Sequence, residues 1–224
     1  MSLALRAAAS PLFFQQKTSA KSIDYFNADA RAIQLNGGSA TNIPESIRRV
    51  ANQEFERFIQ DHVKNQATFA IETTLRSDIT FHQAENARKA GFETVMHYLA
   101  LNSVTDNLER VKIRADAGGH SAPESKLREI HHRSIRNLPK ALGQFHRVRV
   151  YDNSQFGKDP QLLLESDHGR VMHLATNVPE WLEQSLWGTD YELETVRDQL
   201  AGRDPESGLS RCDVFAGLVS VPRG

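Results

Sequence analysis

Thr68-Phe69-Ala70-Ile71-Glu72-Thr73-Thr74 decides the fold. The run is apolar from Phe69 to Ile71 without alternation, which suits a central strand of a parallel sheet buried on both faces. It ends in Glu72-Thr73-Thr74. Three polar side chains at the end of a buried strand mark a candidate active site, because open α/β sheets bind ligands outside their carboxyl edge. Capping of the following helix is the plainer explanation of the same residues.

Upstream, Ile23-Asp24-Tyr25-Phe26 is a short strand that runs into Asn27-Ala28-Asp29-Ala30-Arg31. Asp29 therefore stands just past a strand's carboxyl end, where such sheets keep their chemistry. As a turn aspartate it would be ordinary. Asn42, Pro44 and Glu45 open a helix whose buried face is Ile47, Val50, Ala51, Phe55, Phe58, Ile59 and Val63. Downstream, a helix runs from about Asp78 to Ala90 and stops at Gly91. Thr94 to Leu101 is a second apolar strand, and Arg147 to Tyr151 a third, ending in Asp152-Asn153-Ser154. Gly169 to Ala175 is the last strand expected, followed by a short amphipathic helix from Pro179 to Trp187. Strands alternating with helices predict an α/β fold with three layers, a mostly parallel sheet flanked by helices. Residues 23–187 form its body. Residues 1–22 show no clear period, and residues 188–224 read as a polar, peripheral tail with an acidic helix near Tyr191 to Leu200.

Between the second and third long strands lies a stretch rich in arginine, from Arg110 to Leu138. Arg110 and Arg114 are four apart and share a helix face. Gly118 and Gly119 suit a helix C-terminus, and Ser121, Pro123 and Glu124 read as the capped start of the next helix. There Leu127, Ile130, Ile135, Leu138 and Leu142 form an apolar stripe, with Arg128, His132 and Arg136 beside it and Arg133 further round. Guanidinium forks on two jointed helices could clamp phosphate groups. By spacing alone, a solvated helical hairpin with surface arginines is the favoured reading.

Composition narrows the classes. The chain has 224 residues and a formal net charge of −1, so nothing in its bulk charge points to a nucleic-acid or membrane surface. Cys212 is the only cysteine, which excludes a disulfide framework or a cysteine zinc site within the chain. No apolar run approaches a membrane span, and Met1 to Phe14 is too weakly apolar for a signal peptide. A cytoplasmic protein is the expectation. His131 and His132 are adjacent, so they point to different helix faces, and no metal site is expected.

Taken together and in order, several strings resemble the zeta-toxin family of P-loop kinases. They are Phe26-Asn27-Ala28-Asp29, Phe69 through Leu75, Gly91-Phe92-Glu93-Thr94-Val95, Arg110-Val111 through Arg114, Gly118-Gly119-His120, Pro123-Glu124, Arg133-Ser134 with Asn137-Leu138, and Tyr151-Asp152-Asn153-Ser154. The resemblance covers about residues 23–187. It implies a kinase that uses ATP and magnesium to phosphorylate a small hydroxylated substrate, in that family a UDP-linked N-acetylamino sugar, and an antitoxin protein as partner. By the same resemblance Asp29 would be the base on the acceptor hydroxyl. Glu72 and Thr73 would contact substrate. Arg114 and Arg128 would embrace the phosphates, with Arg110 and Arg133 as competitors for that role.

One departure is severe. The family opens with an apolar strand and a Gly-x-x-x-x-Gly-Lys-[Ser/Thr] loop. Here no glycine precedes Asn27, and the nearest echo is Lys17-Thr18. Without glycines the backbone cannot wrap a phosphate. The first strand and phosphate loop are therefore missing or degraded, unless Leu3 to Leu12 replaces that strand. Three explanations stay open: a phosphate loop encoded upstream of Met1, a decaying gene, or a non-catalytic binder that keeps the substrate half.

Overall fold

A computed structural model describes residues 23–102, 123–155, 158–202 and 218–222. Arg110, Arg114, Lys17-Thr18, the segment Leu3 to Leu12 and Cys212 lie outside the described residues. In chain order the elements are β1 (Asp24–Phe26), α1 (Ala28–Leu35), α2 (Glu45–Lys64), β2 (Phe69–Ile71), α3 (Ile79–Lys89) and β3 (Phe92–Ala100). They continue with α4 (Glu124–Gln144), β4 (Arg147–Asp152), β5 (Gln161–Asp167), β6 (Arg170–Leu174), α5 (Glu180–Leu186), α6 (Leu193–Ala201) and β7 (Leu218–Pro222).

The strands make one sheet in the order β1-β2-β7-β3-β4-β5-β6. β1 pairs with β2 in parallel, and β3 with β4. The other four contacts are antiparallel. This corrects the expectation of a mostly parallel sheet. Two features missed in the sequence change it. β5 forms a hairpin with β6, closed by His168 and Gly169 at φ 48° and 76°. Two successive positive φ values give the type I′ turn that matches strand twist, and glycine takes the second without strain. β7 comes from the segment read as a peripheral tail, yet it lies inside the sheet, between β2 and β3.

Among the described residues the core lies on one face of the sheet. Phe69 and Ile71 of β2, Phe92, Met96 and Tyr98 of β3, Val148 and Val150 of β4, Leu164 of β5 and Val171 of β6 supply its floor. α2 contributes Ile59, α3 Phe81, Ala84 and Ala87, α4 Leu138, Ala141 and Leu142, α5 Trp181, Leu182 and Leu186, and α6 Leu193 and Val196. Aromatic contacts fix the joints: Phe58 to Phe69, Phe69 to Phe92, and Phe81 to Phe145. Wholly buried, Phe69 contributes on the order of 1.5–3 kcal/mol. The described residues thus give a helical layer on a mixed sheet, and the three-layer arrangement is not confirmed by them.

α4 follows the expected stripe: Leu127, Ile130, Leu138 and Leu142 are buried, and Ile135 is half-buried. Its start differs in detail. Pro123 is the N-cap, with no side-chain capping bond, and Glu124 instead pairs with Arg128. α2 likewise starts after Pro44 rather than at Asn42, and Val50, assigned to its buried face, is exposed.

Candidate functional site

Because β1 to β4 run the same way, their carboxyl ends share one edge of the sheet. The ladder between β1 and β2 extends one step past the strands, where the Glu72 N–H donates to the Phe26 carbonyl at 3.2 Å. Tyr25 and Glu72 both flank core-facing residues, Phe26 and Ile71, so their side chains leave on the opposite face. The Tyr25 hydroxyl donates to Glu72 Oε2 at 2.5 Å. The Asn27 amide donates to the same oxygen, and also approaches the Tyr25 hydroxyl at 3.3 Å.

Asn27 has a second task. It is the N-cap of α1, and its Oδ1 accepts the Ala30 N–H at 2.8 Å. An asparagine there satisfies one of the orphan donors of the first turn. What reads in the sequence as a turn after β1 is therefore a helix start. Asp29 sits in that first turn, half-buried, where the positive end of the helix dipole favours a carboxylate. α1 is tied to α2 by the Arg31–Glu54 ion pair at 2.5 Å. The guanidinium holds the Glu54 carboxyl below its usual range.

Thr73 points to the following helix. Its hydroxyl shares a 2.7 Å hydrogen bond with that of Thr80 on α3, and Thr80 is buried. Leu75 comes next, 2% exposed and held at φ 54°, a conformation a leucine rarely takes. Asn137 of α4 donates to its carbonyl at 2.8 Å. The loop after β2 is thus pinned at both sides, by Thr80 and by Asn137. At the ends of β3 and β4 the Ser154 N–H and hydroxyl both donate to Asp152 Oδ1, at 2.8 and 2.6 Å, while the Asn102 N–H donates to Ser154 Oγ at 2.7 Å.

The arginines fall differently. Arg128 forms a two-pronged contact with Glu124 Oε1 at 2.8 and 2.6 Å, one turn back on its own helix. Arg133 pairs with Glu129 at 3.2 Å in the same manner, and both side chains are exposed. Their described partners are these surface glutamates. Asn27 with Asp29, and Glu72 with Thr73, by contrast, gather at the ends of neighbouring strands.

A second polar group was not anticipated. His97 of β3 is in register with Arg149 of β4, and Arg149 with Glu165 of β5. Arg149 Nε donates to Glu165 Oε1 at 2.8 Å with its side chain 8% exposed. His97 stacks on Tyr151 at 5.9 Å and its Nδ1 lies 3.3 Å from the Tyr151 hydroxyl. Burial, helped by the Arg149 charge, pushes the His97 imidazole well below the ordinary 6.5. Burial pushes the Tyr151 hydroxyl up to about 12. A single histidine inside an apolar strand was the only signal in the sequence, and it is unreadable without the register.

ATP with magnesium asks for a glycine loop between a strand's carboxyl end and a helix N-terminus. None of the described glycines stands in such a place. Gly37 and Gly38 follow α1, Gly91 precedes β3, Gly169 closes the hairpin and Gly188 follows α5. Among the described residues no three His, Cys, Asp or Glu side chains come together as a cation site. The described residues therefore do not fit a bound triphosphate. No helix among them is long and apolar enough to cross a membrane.

No family model matches the chain. An uncharacterised protein of Haemophilus influenzae is 32% identical over 98 residues, which cover 44% of this chain and 67% of that protein. The chain belongs to the family of this Haemophilus protein. The function of that family is not given by its name. Among solved structures, a chain from the PezAT chromosomal toxin–antitoxin system of Streptococcus pneumoniae aligns over 89% of this chain and 93% of its own. The TM-score is 0.47 and the identity 16%.

Proposed function

We propose that the chain carries the acceptor half of a zeta-toxin-like kinase, a site for a small hydroxylated substrate of the UDP-amino-sugar class. The observation that supports this reading is the hydrogen bond from Asn27 to Glu72 at the carboxyl ends of two adjacent parallel strands, with Asp29 in the helix turn that Asn27 caps and Thr73 next to Glu72 in the chain. In the sequence these residues belong to the strings that resemble the family, and the sheet edge is where such folds hold ligands. Within this reading Asp29 is the base, held close to the backbone by its short side chain. Glu72 and Thr73 hold the acceptor through hydroxyl groups, a task for hydrogen-bond acceptors of fixed position. Arg128, with Arg114 outside the described residues, would embrace the phosphates, and Arg133 and Arg110 compete for that role; Arg128 and Arg133 would have to leave Glu124 and Glu129 to do so. The donor in this family is ATP with magnesium, and the same likeness implies an antitoxin partner.

A second reading is a non-catalytic sugar-nucleotide or partner-binding module. It is favoured by the lack of a glycine loop suited to a triphosphate among the described residues. Titration calorimetry with UDP-N-acetylglucosamine and with ATP–magnesium separates the outcomes. Sugar-nucleotide binding that weakens in Glu72→Gln supports an acceptor site in either reading. ATP–magnesium is expected to bind weakly or not at all; micromolar ATP binding would exclude the second reading's main support. If the sugar nucleotide does not bind the wild-type chain, the acceptor site is wrong.

A further inference from the structure

We infer that Asn27 and Tyr25 are positioning residues that set the Glu72 carboxylate for ligand, with Asn27 coupling Glu72 to the helix that carries Asp29. This rests on the acceptor site proposed above. Two donors from one strand end converge on a single oxygen, Glu72 Oε2: the Tyr25 hydroxyl and the Asn27 amide. A carboxylate has two oxygens and about four acceptor directions. Taking two donors on Oε2 fixes the rotation of the carboxyl group and so fixes where Oε1 points. Hydrogen bonds to the charged form are the strong kind, and two of them restrain a side chain that would otherwise lose several rotamers on binding.

Asn27 is buried, 6% exposed, and uses both ends of its amide. Oδ1 accepts the Ala30 N–H of α1 and Nδ2 donates to Glu72. Asp29 is two residues further along the same first turn. Movement of α1 therefore moves the donor that holds Glu72, so the two carboxylates keep a constant spacing. A plain N-cap requires only the acceptor. Serine or aspartate would cap α1 as well as asparagine does. Neither would present an amide donor to Glu72. Tyr25 is 46% exposed, so its aromatic ring earns little from burial while its hydroxyl makes a specific contact.

The test separates capping from positioning. Asn27→Ser and Asn27→Asp both keep a cap acceptor. Asn27→Asp also sets a second carboxylate against Glu72, and like charges at contact repel. At neutral pH Asn27→Asp should melt about 2–4 °C or more below Asn27→Ser. Adding Glu72→Gln should restore the melt of Asn27→Asp and not that of Asn27→Ser. In calorimetry with UDP-N-acetylglucosamine, Tyr25→Phe and Asn27→Ser should each weaken binding about tenfold, the usual scale for a lost bond to a charged group. Glu72→Gln should make the Tyr25→Phe change silent. Variants that bind as tightly as wild type overturn the positioning role while leaving the acceptor site standing. A wild-type chain that binds no sugar nucleotide overturns both. Asn27→Asp and Asn27→Ser melting alike with and without Glu72→Gln show that the contact is not there, and overturn the inference whatever binds.

Discussion

At Asp29 a catalytic and a structural role make different demands. In the first turn of α1 its charge meets the positive end of the helix dipole, a contribution of about 0.3–1 kcal/mol at most surface sites. Asp29→Asn keeps the shape and removes both the charge and the basicity. In a form of the protein extended with a phosphate loop, loss of a general base should lower phosphoryl transfer about 10²–10⁴-fold. The melting temperature should fall by only a few degrees, about 2–4 °C per kcal/mol. Side-by-side assays of transfer and melting check this. Full turnover in Asp29→Asn removes it from the site, and an activity loss no larger than the loss of folded protein makes it a helix-start residue only.

His97 gives a prediction of another kind. Its folded-state affinity for a proton is depressed by burial and by Arg149, so the unfolded chain binds a proton more readily. The stabilising contribution is present above about pH 6.5, where the unfolded histidine is neutral, and is lost as the pH falls below it. Tyr151, stacked on the imidazole and hydrogen-bonded to it, and the Arg149 guanidinium both face His97. Melting temperature should therefore drop between about pH 7 and about pH 5, above the range in which most carboxylates titrate. His97→Phe keeps a ring against Tyr151 and cannot take a proton. Its melting curve should be flatter over that interval, with a remainder from His131, whose imidazole burial also depresses. An equally steep curve for His97→Phe would mean that His97 does not carry the acid sensitivity.

Among the elements, those with their own strong pattern were legible in the sequence. α4 declares itself through Leu127, Ile130, Leu138 and Leu142, and α3 stops at Gly91 with φ 88°, as a helix-ending glycine should. β2 and β3 were visible as apolar runs, and β1 and β4 as short strands, all close to their observed bounds. α1 was not, because Asn27 to Arg31 holds the residues of a turn, and only the Ala30 N–H on Asn27 shows the turn to be a cap. β5 was hidden in Gln161 to Asp167, whose three leucines in a row carry no alternation and whose partner β6 is reached through a His-Gly turn. The candidate site divides along the same line. Asp29, Glu72 and Thr73 were singled out from their places after strand ends, whereas Asn27 with Tyr25, and His97 with Arg149 and Glu165, are linked through partners on other strands. Register links residues many positions apart, and a single sequence does not contain it. Arg128 and Arg133 show the converse: helical spacing put Arg128 beside the apolar stripe of α4 and Arg133 further round, and the same spacing gave each a glutamate four residues back.

On the scale of the whole molecule, the sheet depends on its last strand. β2 and β3 run in the same direction and are not paired with each other; β7 stands between them, antiparallel to both. Its Ser220 is opposite Phe69 on one side and Thr94 on the other, and Val219 is opposite Ala70 and Val95. The half of the sheet that holds Asn27, Asp29, Glu72 and Thr73 is thus joined to the β3–β6 half through five residues from the far end of the chain. Val219→Pro tests that arrangement with one substitution. Proline donates no N–H and is tolerated in sheets at edges or bulges, not between two paired neighbours. Losing a ladder hydrogen bond and leaving its buried partner unsatisfied costs about 1–3 kcal/mol, which at this chain length is a melting-temperature loss of about 2–12 °C. Parting β2 from β3 would also bare two strand edges, so the variant should associate as it warms. Circular dichroism melts and light scattering of Val219→Pro against wild type check both effects. A variant that melts and scatters light as wild type does would show that β2 and β3 are held in place by the helices, with α2 and α3 carrying this edge of the sheet independently of β7.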